Sequence, residues 1–218
     1  IERGELFMLY QPCIDPRSGK VASFEALLRW QHPEHGVLLP SGFLAEAEEN
    51  GRIVEFGAWV LDQACAFLFD LKNLGVTDVP VTVNVSAREY GQQGFVAGIA
   101  SRLVAYGLTP GSLQIELREE AVNRNPGQVR DLATQLRQLG LTLSIDEFGQ
   151  GMTDLGFLRE LSVGQLKLSK NAVHAILPDE PEGDGGTMVR TLIDIGHNLR
   201  MQVIGEAVES RAKGVFLA

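Results

Sequence analysis

The sequence lacks several features that would assign it to a specialised class of protein. Its 218 residues include only two cysteines, Cys13 and Cys65, which form neither a disulfide framework nor a paired-thiol motif. No apolar run approaches the roughly 18 residues of a membrane span, and no signal-peptide pattern is present. We therefore expect a cytoplasmic domain with buried thiols and no membrane contact of its own.

Basic residues are outnumbered by acidic ones. The chain carries 28 Asp and Glu against 19 Lys and Arg, a formal net charge of −9. Binding to a nucleic-acid polymer depends on clustered Lys and Arg that release counterions, so this balance argues against such a partner. A small anionic ligand is compatible with it, provided that cations bridge the ligand to the carboxylates.

Motifs of several common enzyme classes are missing as well. No P-loop, GxSxG elbow or dinucleotide-binding fingerprint occurs. The histidines show no HExxH or other ligand spacing, and we expect them to be surface or packing residues. They are His32, His35, His174 and His197.

What the chain does contain is an alternation of strand and helix patterns. Segments 6–11 and 21–30 predict a hairpin joined by the turn-like DPRSGK. Ser41 is expected to cap one helix, and segment 54–75 to form another that ends at Gly75. Further strands are predicted at 79–87, 112–119, 141–149, 164–170 and 201–209, helices at 94–107, 126–140, 153–161 and 187–199, and a polar loop at 178–186. Repeated strand–helix units favour an α/β fold, a TIM-like (β/α) barrel of parallel strands.

Two opposite charges stand within one predicted core strand, in SFEALLRW. Glu25 and Arg29 lie on the same face, since side chains alternate along a strand. Four residues at roughly 3.3 Å each separate them by about 13 Å, which is too far for an ion pair. Each is therefore expected to contact a metal, a ligand or residues of other strands.

Six predicted strands each place one strongly polar residue near the carboxyl end. These residues are Glu25, Asn84, Glu116, Asp146, Lys167 and Glu206. Catalytic groups of (β/α) barrels lie at that end, although each residue taken alone could be a solvated strand terminus. Converging carboxylates repel one another unless cations are bound, and oxygen-rich clusters suit Mg²⁺ or Mn²⁺. A pair of such ions serves phosphoryl chemistry, so the pattern predicts a metal-assisted phosphate-ester site.

The motifs resemble a known family along nearly the whole chain. SFEALLRW followed by HPEHG resembles the signature of the EAL domain, the family of cyclic di-GMP phosphodiesterases and receptors, and further matches follow in order: LYQP, GAWVLDQA, VNVSA, IELRE, IDEFGQG, LKLSK and GEAVE. The resemblance implies one domain over residues 1–218, a fragment of a longer and multidomain protein. It implies a modified (β/α)8 barrel with one antiparallel strand. Because the family's final Gln-Gly-Tyr strand is absent here, we expect a truncation at the last strand.

The resemblance also implies roles for individual residues. It implies Mg²⁺ or Mn²⁺, two ions per site, held by Glu25, Asn84, Glu116 and Asp146, with Glu147 serving the second ion. Lys167 matches the lysine that orients the nucleophilic water, Glu206 a glutamate that acts as metal ligand or base, and Glu209 a second family glutamate with a catalytic role. Arg29 matches a contact to the ligand phosphate, Gln11 approaches a guanine, and Glu119 braces the loop after Asp146.

Four residues depart from the family pattern, and they leave two functions open. Glu147 replaces an aspartate, Gln150 and Arg118 each replace a threonine, and Ser169 replaces another aspartate. The retained residues favour hydrolysis of cyclic di-GMP to linear pGpG. The four departures favour a catalytically weak or inactive receptor. By analogy with the family, a homodimer through residues 148–161 is also expected.

Overall fold

The computed structural model describes residues 1–151, 153–177 and 183–217. These residues form two compact units. Unit 1 comprises Ile1–Ile14, Val21–Ile115 and Leu139–Leu141, and unit 2 comprises Asp15–Lys20, Glu116–Gln138 and the chain from Thr142 onward. Within the described residues, no helix is both long enough and apolar enough to span a membrane.

Unit 1 begins with antiparallel strands and continues with helices around a parallel strand. Its elements are β1 (Leu6–Ile14), β2 (Val21–His32), β3 (Gly36–Leu38), α1 (Leu44–Glu49), α2 (Ile53–Asn73), β4 (Val81–Asn84), α3 (Ala87–Tyr90) and α4 (Phe95–Ala105). The predicted hairpin is confirmed, because β1 pairs antiparallel with β2. Strand β2 also pairs in parallel with β4, so strand pairing changes from antiparallel to parallel within this unit.

Unit 2 follows the strand–helix rhythm that the sequence predicts. Strand β5 (Leu113–Arg118) begins in unit 1 and ends in unit 2. The elements that follow are α5 (Glu119–Arg124), α6 (Pro126–Leu139), β6 (Thr142–Phe148), α7 (Leu155–Leu161), β7 (Gln165–Leu168), α8 (Lys170–His174), α9 (Asp184–Asn198), β8 (Gln202–Gly205) and α10 (Arg211–Leu217). Strands β6, β7 and β8 pair in parallel, in that order.

Hydrophobic spacing explains why these segments fold as they do. Helix α6 buries Val129, Leu132, Ala133 and Leu136, which recur every three or four residues and form one apolar stripe. Strand β7 is buried along its whole length, as parallel strands covered on both faces usually are. Cys65 is fully buried on α2, and burial raises the pKa of its thiol to about 11, whereas Cys13 on β1 is half-buried and departs from the expectation.

Several predicted boundaries are wrong. Ser41 does not cap a helix: it lies within the 3₁₀ turn Pro40–Gly42, and Phe43 precedes α1. Helix α9 begins at Asp184, three residues before the predicted start, and so includes three residues of the predicted polar loop, Asp184, Gly185 and Gly186. Residues 178–182 of that loop lie outside the described residues. The short elements β3, α3, α5, α8 and α10 were not predicted.

Candidate functional site

In unit 1, Glu25 and Asn84 meet across two parallel strands. Strand β2 pairs with β4 so that Glu25 lies opposite Thr82, two residues before Asn84, on the face of the sheet that Asn84 shares. The Asn84 side-chain nitrogen Nδ2 donates to Glu25 Oε1 at 2.9 Å. The pair therefore supplies a carboxylate and an amide, two oxygen-bearing groups, at one strand end.

Arg29 has a partner of its own on the same strand. Its Nη1 donates to the carbonyl oxygen of Leu28 at 2.8 Å, and its side chain is half-buried. Glu25 and Arg29 thus make separate contacts, as the strand spacing predicts. Gln11 is exposed on β1 and lies opposite Glu25 in the antiparallel register.

In unit 2, the side chain of a buried lysine lies within 4 Å of three carboxylates. The Lys167 ammonium lies 2.8 Å from Glu116 Oε1, 2.7 Å from Glu206 Oε1 and 3.9 Å from Asp146 Oδ1. The side chains of Lys167 and Glu116 are almost inaccessible to solvent. A buried charge is tolerated only with partners of opposite charge, so these groups depend on one another.

The end of β6 is irregular at the residues that carry two of the predicted ligands. The pairing of β6 with β7 shifts register between Ile145 and Phe148, which leaves Asp146 and Glu147 in a bulge. Glu147 has a left-handed backbone with φ of 58°, and its amide donates to Asp146 Oδ1 at 2.7 Å. This conformation costs about 1 kcal/mol or more for residues other than glycine, and Asp and Asn adopt it more readily than Glu.

Glu119 organises the loop that follows β6. Its Oε2 accepts from three consecutive backbone amides, those of Gly149 at 3.1 Å, Gln150 at 3.2 Å and Gly151 at 3.0 Å. Its Oε1 accepts from the Thr153 hydroxyl at 2.5 Å, and that hydroxyl also lies 3.2 Å from Asn123 Oδ1. Glu119 is buried, and one side chain therefore satisfies most of the polar groups of this loop.

Glu209 lies apart from the Lys167 contacts. Its side chain is 74% exposed, and His174 Nε2 lies 3.9 Å from its carboxylate. The segment between Glu206 and Glu209 includes Ala207, which has a left-handed backbone with φ of 52°.

The residues that depart from the family pattern have identifiable surroundings. Ser169 is buried and caps α8 by accepting from the Ala172 amide at 3.2 Å, so its hydroxyl already serves the helix. Arg118 precedes α5 and is exposed, and Gln150 is an exposed loop residue.

The donor types fit a hard divalent cation. The predicted ligands offer carboxylate and amide oxygens, the ligands preferred by Mg²⁺ and Mn²⁺, and include no thiolate or imidazole. Among the described residues, no group of three or more His, Cys, Asp and Glu side chains is arranged to hold a metal ion. In unit 2 the Lys167 ammonium is the cation that the carboxylates contact.

The structure thus brings together some of the predicted site residues within each unit. Unit 1 joins Glu25 to Asn84, and unit 2 joins Lys167 to Glu116, Asp146 and Glu206. Sequence reasoning missed Thr153 and Asn123 as partners of the Glu119 loop. No local signal could have found them, because they bind across about 30 residues of chain.

Comparison with known proteins gives a consistent result. The family model described as the EAL domain matches residues 1–218. MucR of Pseudomonas aeruginosa, a bifunctional diguanylate cyclase/cyclic di-GMP phosphodiesterase, is 33% identical over 217 residues, which are 100% of this chain and 31% of MucR. NbdA of the same organism, a cyclic di-GMP phosphodiesterase, is 34% identical over 213 residues, which are 98% of this chain and 27% of NbdA. The chain therefore spans less than a third of the length of these curated relatives.

Solved structures resemble the chain equally well. The PaMucR phosphodiesterase in a c-di-GMP complex aligns with a TM-score of 0.91 at 33% identity, covering 99% of this chain and 86% of that one. The EAL enzyme Bd1971, in a form with cAMP and cyclic-di-GMP bound, aligns with a TM-score of 0.90 at 26% identity, covering 99% of this chain and 58% of that one. The predicted α/β fold of the TIM-like EAL type, with an antiparallel strand, is confirmed.

Proposed function

The chain belongs to the EAL domain family, and from that premise we propose that it is a metal-dependent phosphodiesterase that hydrolyses cyclic di-GMP to linear pGpG. The observation that carries the proposal is the Lys167 ammonium, buried between the carboxylates of Glu116 and Glu206. A lysine held in this way presents a fixed donor beside groups that can accept protons. Relatives named as cyclic di-GMP phosphodiesterases support the choice of substrate.

We assign the metal ligands on the family pattern. Glu25, Asn84, Glu116 and Asp146 would hold a first Mg²⁺ or Mn²⁺ ion, and Asp146 with Glu147 a second. Bound ions would lower the pKa of a coordinated water and neutralise charge on the phosphate. The oxygen-donor chemistry of these side chains supports the assignment.

Lys167 and Glu206 have separate roles in the proposed reaction. The oxygen of a water molecule forms a bond to one phosphorus of the cyclic dinucleotide, while the bond from that phosphorus to the ribose 3′ oxygen breaks. Lys167 orients the water through its ammonium, and Glu206 accepts a water proton that it later returns to solvent. The 3′ oxygen takes up a proton from solvent and leaves as a hydroxyl, which gives linear pGpG.

Three further residues are proposed to bind and support rather than to react. Arg29 contacts a ligand phosphate and Gln11 approaches a guanine, while Glu119 keeps the loop after β6 in place. Glu209 retains a proposed catalytic role on the family pattern alone. A homodimer through residues 148–161 stays a prediction, as do a single-domain organisation of residues 1–218 and a cytoplasmic location.

Incubation with cyclic di-GMP and Mn²⁺, followed by chromatography, tests the proposal. We expect linear pGpG from the unmodified chain and a loss of about 100-fold in kcat for Lys167→Met, which keeps the chain length but removes the ammonium. Lys170→Met is the matched control, because Lys170 is exposed at the start of α8. Unmodified protein that forms no product under saturating ligand would contradict the enzymatic proposal.

A receptor function is the second candidate, and the backbone at Glu147 favours it. A glutamate in a left-handed conformation combines strain with a side chain one methylene longer than the aspartate of the family pattern. Magnesium requires near-ideal octahedral geometry, so a displaced carboxylate weakens the second site. Tight binding of cyclic di-GMP without product would support this candidate.

Glu147→Asp separates the two candidates. If placement of this carboxylate limits turnover, we expect kcat at saturating Mn²⁺ to rise about fivefold, because small misplacements of reacting groups are costly. Thermal unfolding provides the control for strain. A higher Tm with unchanged kcat would mean that the substitution relieves the backbone only and that carboxylate placement is not the defect.

A further inference from the structure

Three polar side chains, one from each of strands β6, β7 and β8, connect the strands of unit 2. Ser144 Oγ donates to Gln165 Oε1 at 3.2 Å, and Gln165 Nε2 donates to Gln202 Oε1 at 3.4 Å. Ser144 is 0% exposed and Gln165 is 3% exposed. We call Ser144, Gln165 and Gln202 the amide ladder.

The amide ladder follows the register of the sheet. Ser144 lies directly opposite Gln165, which lies directly opposite Gln202. Side chains two residues apart on a strand share a face, so Gln165 stands on the same face as Lys167. Ser144 has the same relation to Asp146.

Burying Ser144 and Gln165, the two buried members of the amide ladder, does little for stability by itself. A buried polar group costs free energy unless it is hydrogen-bonded, and apolar residues of similar volume are often as stable or more so. A residue such as Leu at position 165 would serve a purely structural core. The amide ladder therefore calls for another explanation.

Strand register supplies that explanation. A slip by one residue would turn every side chain to the opposite face and is excluded by the hydrophobic pattern. A slip by two residues leaves every side chain on its original face of the sheet. Apolar side chains would therefore remain buried after such a slip and would oppose it only weakly. The amide ladder opposes such a slip, because its hydrogen bonds form only when all three residues are aligned.

The position of the amide ladder makes this restraint useful. Just beyond it, the pairing of β6 with β7 becomes irregular between Ile145 and Phe148. A bulge interrupts the backbone hydrogen bonds between two strands, so these bonds restrain the register less strongly there. The last regular β6–β7 pairs before the bulge are those of Ser144 and Ile145, so a side-chain restraint there holds β7 against β6 where their regular backbone pairing ends, while β7 pairs regularly with β8 from Gln165 to Leu168.

We propose that Gln165 is a positioning residue that fixes the register of β7 and thereby holds the Lys167 ammonium between Glu116 and Glu206. Its kinetic consequence rests on the proposed function, whereas its effect on the strands does not. It acts through the backbone of β7 and contacts no substrate.

The test uses one single and one double variant. Gln165→Leu removes both hydrogen bonds but leaves the buried Ser144 hydroxyl unsatisfied, so we expect it to raise the equilibrium constant of unfolding about tenfold. In Ser144→Ala/Gln165→Leu both partners are apolar, and we expect the free energy of unfolding to return close to that of the unmodified chain. Leu166→Met, on the same strand and the opposite face, is the volume-conserving control.

Steady-state kinetics then separate positioning from stability. In the stable double variant we expect kcat for cyclic di-GMP to remain about tenfold low with KM unchanged, since small displacements of a reacting group are costly. A kcat that recovers along with stability would overturn the proposal, because the amide ladder would then be structural only.

A second readout does not depend on catalysis. We expect hydrogen exchange of the β7 backbone amides to be about tenfold faster in the double variant, with the amides of α6 unaffected. Unchanged exchange in β7 would overturn the proposal. If the unmodified chain forms no pGpG, the enzymatic proposal fails and this exchange measurement alone decides the role of Gln165.

Discussion

Two buried glutamates, one in each unit, occupy similar places but have different surroundings. Glu119 opens helix α5 directly after β5, and Glu89 lies in the short helix α3 soon after β4. Glu119 accepts from three loop amides and the Thr153 hydroxyl. Glu89 accepts from the Ser86 amide at 2.8 Å, and its Oε1 lies against α2 at Gly57.

The difference shows that the number of hydrogen-bond donors around a buried carboxyl group determines its role in the structure. Burial raises the pKa of Glu89 to about 7, and repulsion from Glu48 adds to the rise, against the lowering effect of its hydrogen bonds at Ser86. Glu89 therefore titrates near neutral pH. Glu119 uses a full set of donors to shape a loop.

The largest expected effect concerns the charge of Glu89. The rise in pKa from 4.5 to about 7 means that the free energy of unfolding is on the order of 3 kcal/mol larger when Glu89 is protonated than when it is charged. Because the folded-state pKa is the higher one, this stability is fully present below pH 4.5 and is lost as the pH rises through about 7. Glu89→Gln mimics the protonated form and should remove that loss.

Urea unfolding of both proteins from pH 4.5 to 8 checks this prediction. We expect the difference in the free energy of unfolding between variant and unmodified chain to grow with pH in favour of Glu89→Gln. Taking the difference cancels the contributions of the titrating groups that do not interact with Glu89. A difference that does not change with pH would show that Glu89 has no raised pKa in the folded state.

The next effect concerns the donors around Glu119. Glu119→Ala removes both acceptor oxygens, so the three backbone amides and the Thr153 hydroxyl lose the acceptor that they share. We expect a loss of about 2 kcal/mol in the free energy of unfolding, measured in urea, and a lower kcat. Glu120→Ala is the control, because Glu120 forms an exposed pair with Arg124 and its substitution should change stability by less than about 0.5 kcal/mol. Equal effects of the two substitutions would contradict the role of Glu119.

The smallest effect concerns the space beside Glu89. A Cβ at position 57 would lie 1.8 Å from Glu89 Oε1. In Gly57→Ala, overpacking of about 2 kcal/mol would outweigh the gain of about 1 kcal/mol in helix propensity, a net loss near 1 kcal/mol. In a Glu89→Ala background the same substitution should stabilise instead. Thermal unfolding of the four proteins provides the cycle, and a stabilising Gly57→Ala in the unmodified chain would refute the close contact.

Periodicity predicted most of the fold but not its exact boundaries. Alternating strands and helices follow from hydrophobic spacing, as in β7 and α6. Gly185 and Gly186 indicated a loop, yet both lie in α9 because tertiary packing overrides propensity. A Cβ at position 185 would lie 2.0 Å from the carbonyl oxygen of Ala175, so glycine there permits close packing rather than a turn.

The candidate site was predictable in kind but not in its contacts. The position of Lys167 near a strand end indicated a functional residue, and the family resemblance supplied a role. Its carboxylate partners come from other strands, 51 residues away in the case of Glu116, and no spacing rule gives such a distance. Glu147 shows the same limit, because its left-handed backbone arises from a bulge between two strands.

The shared acceptor at Glu119 has a further consequence. Three amides and a hydroxyl depend on one side chain, so a single rotamer change would release all four together. The amides of Gly149, Gln150 and Gly151 would then lose their acceptor at the same time instead of one by one. A displacement of the start of α5 would therefore move the common acceptor of these amides as a whole.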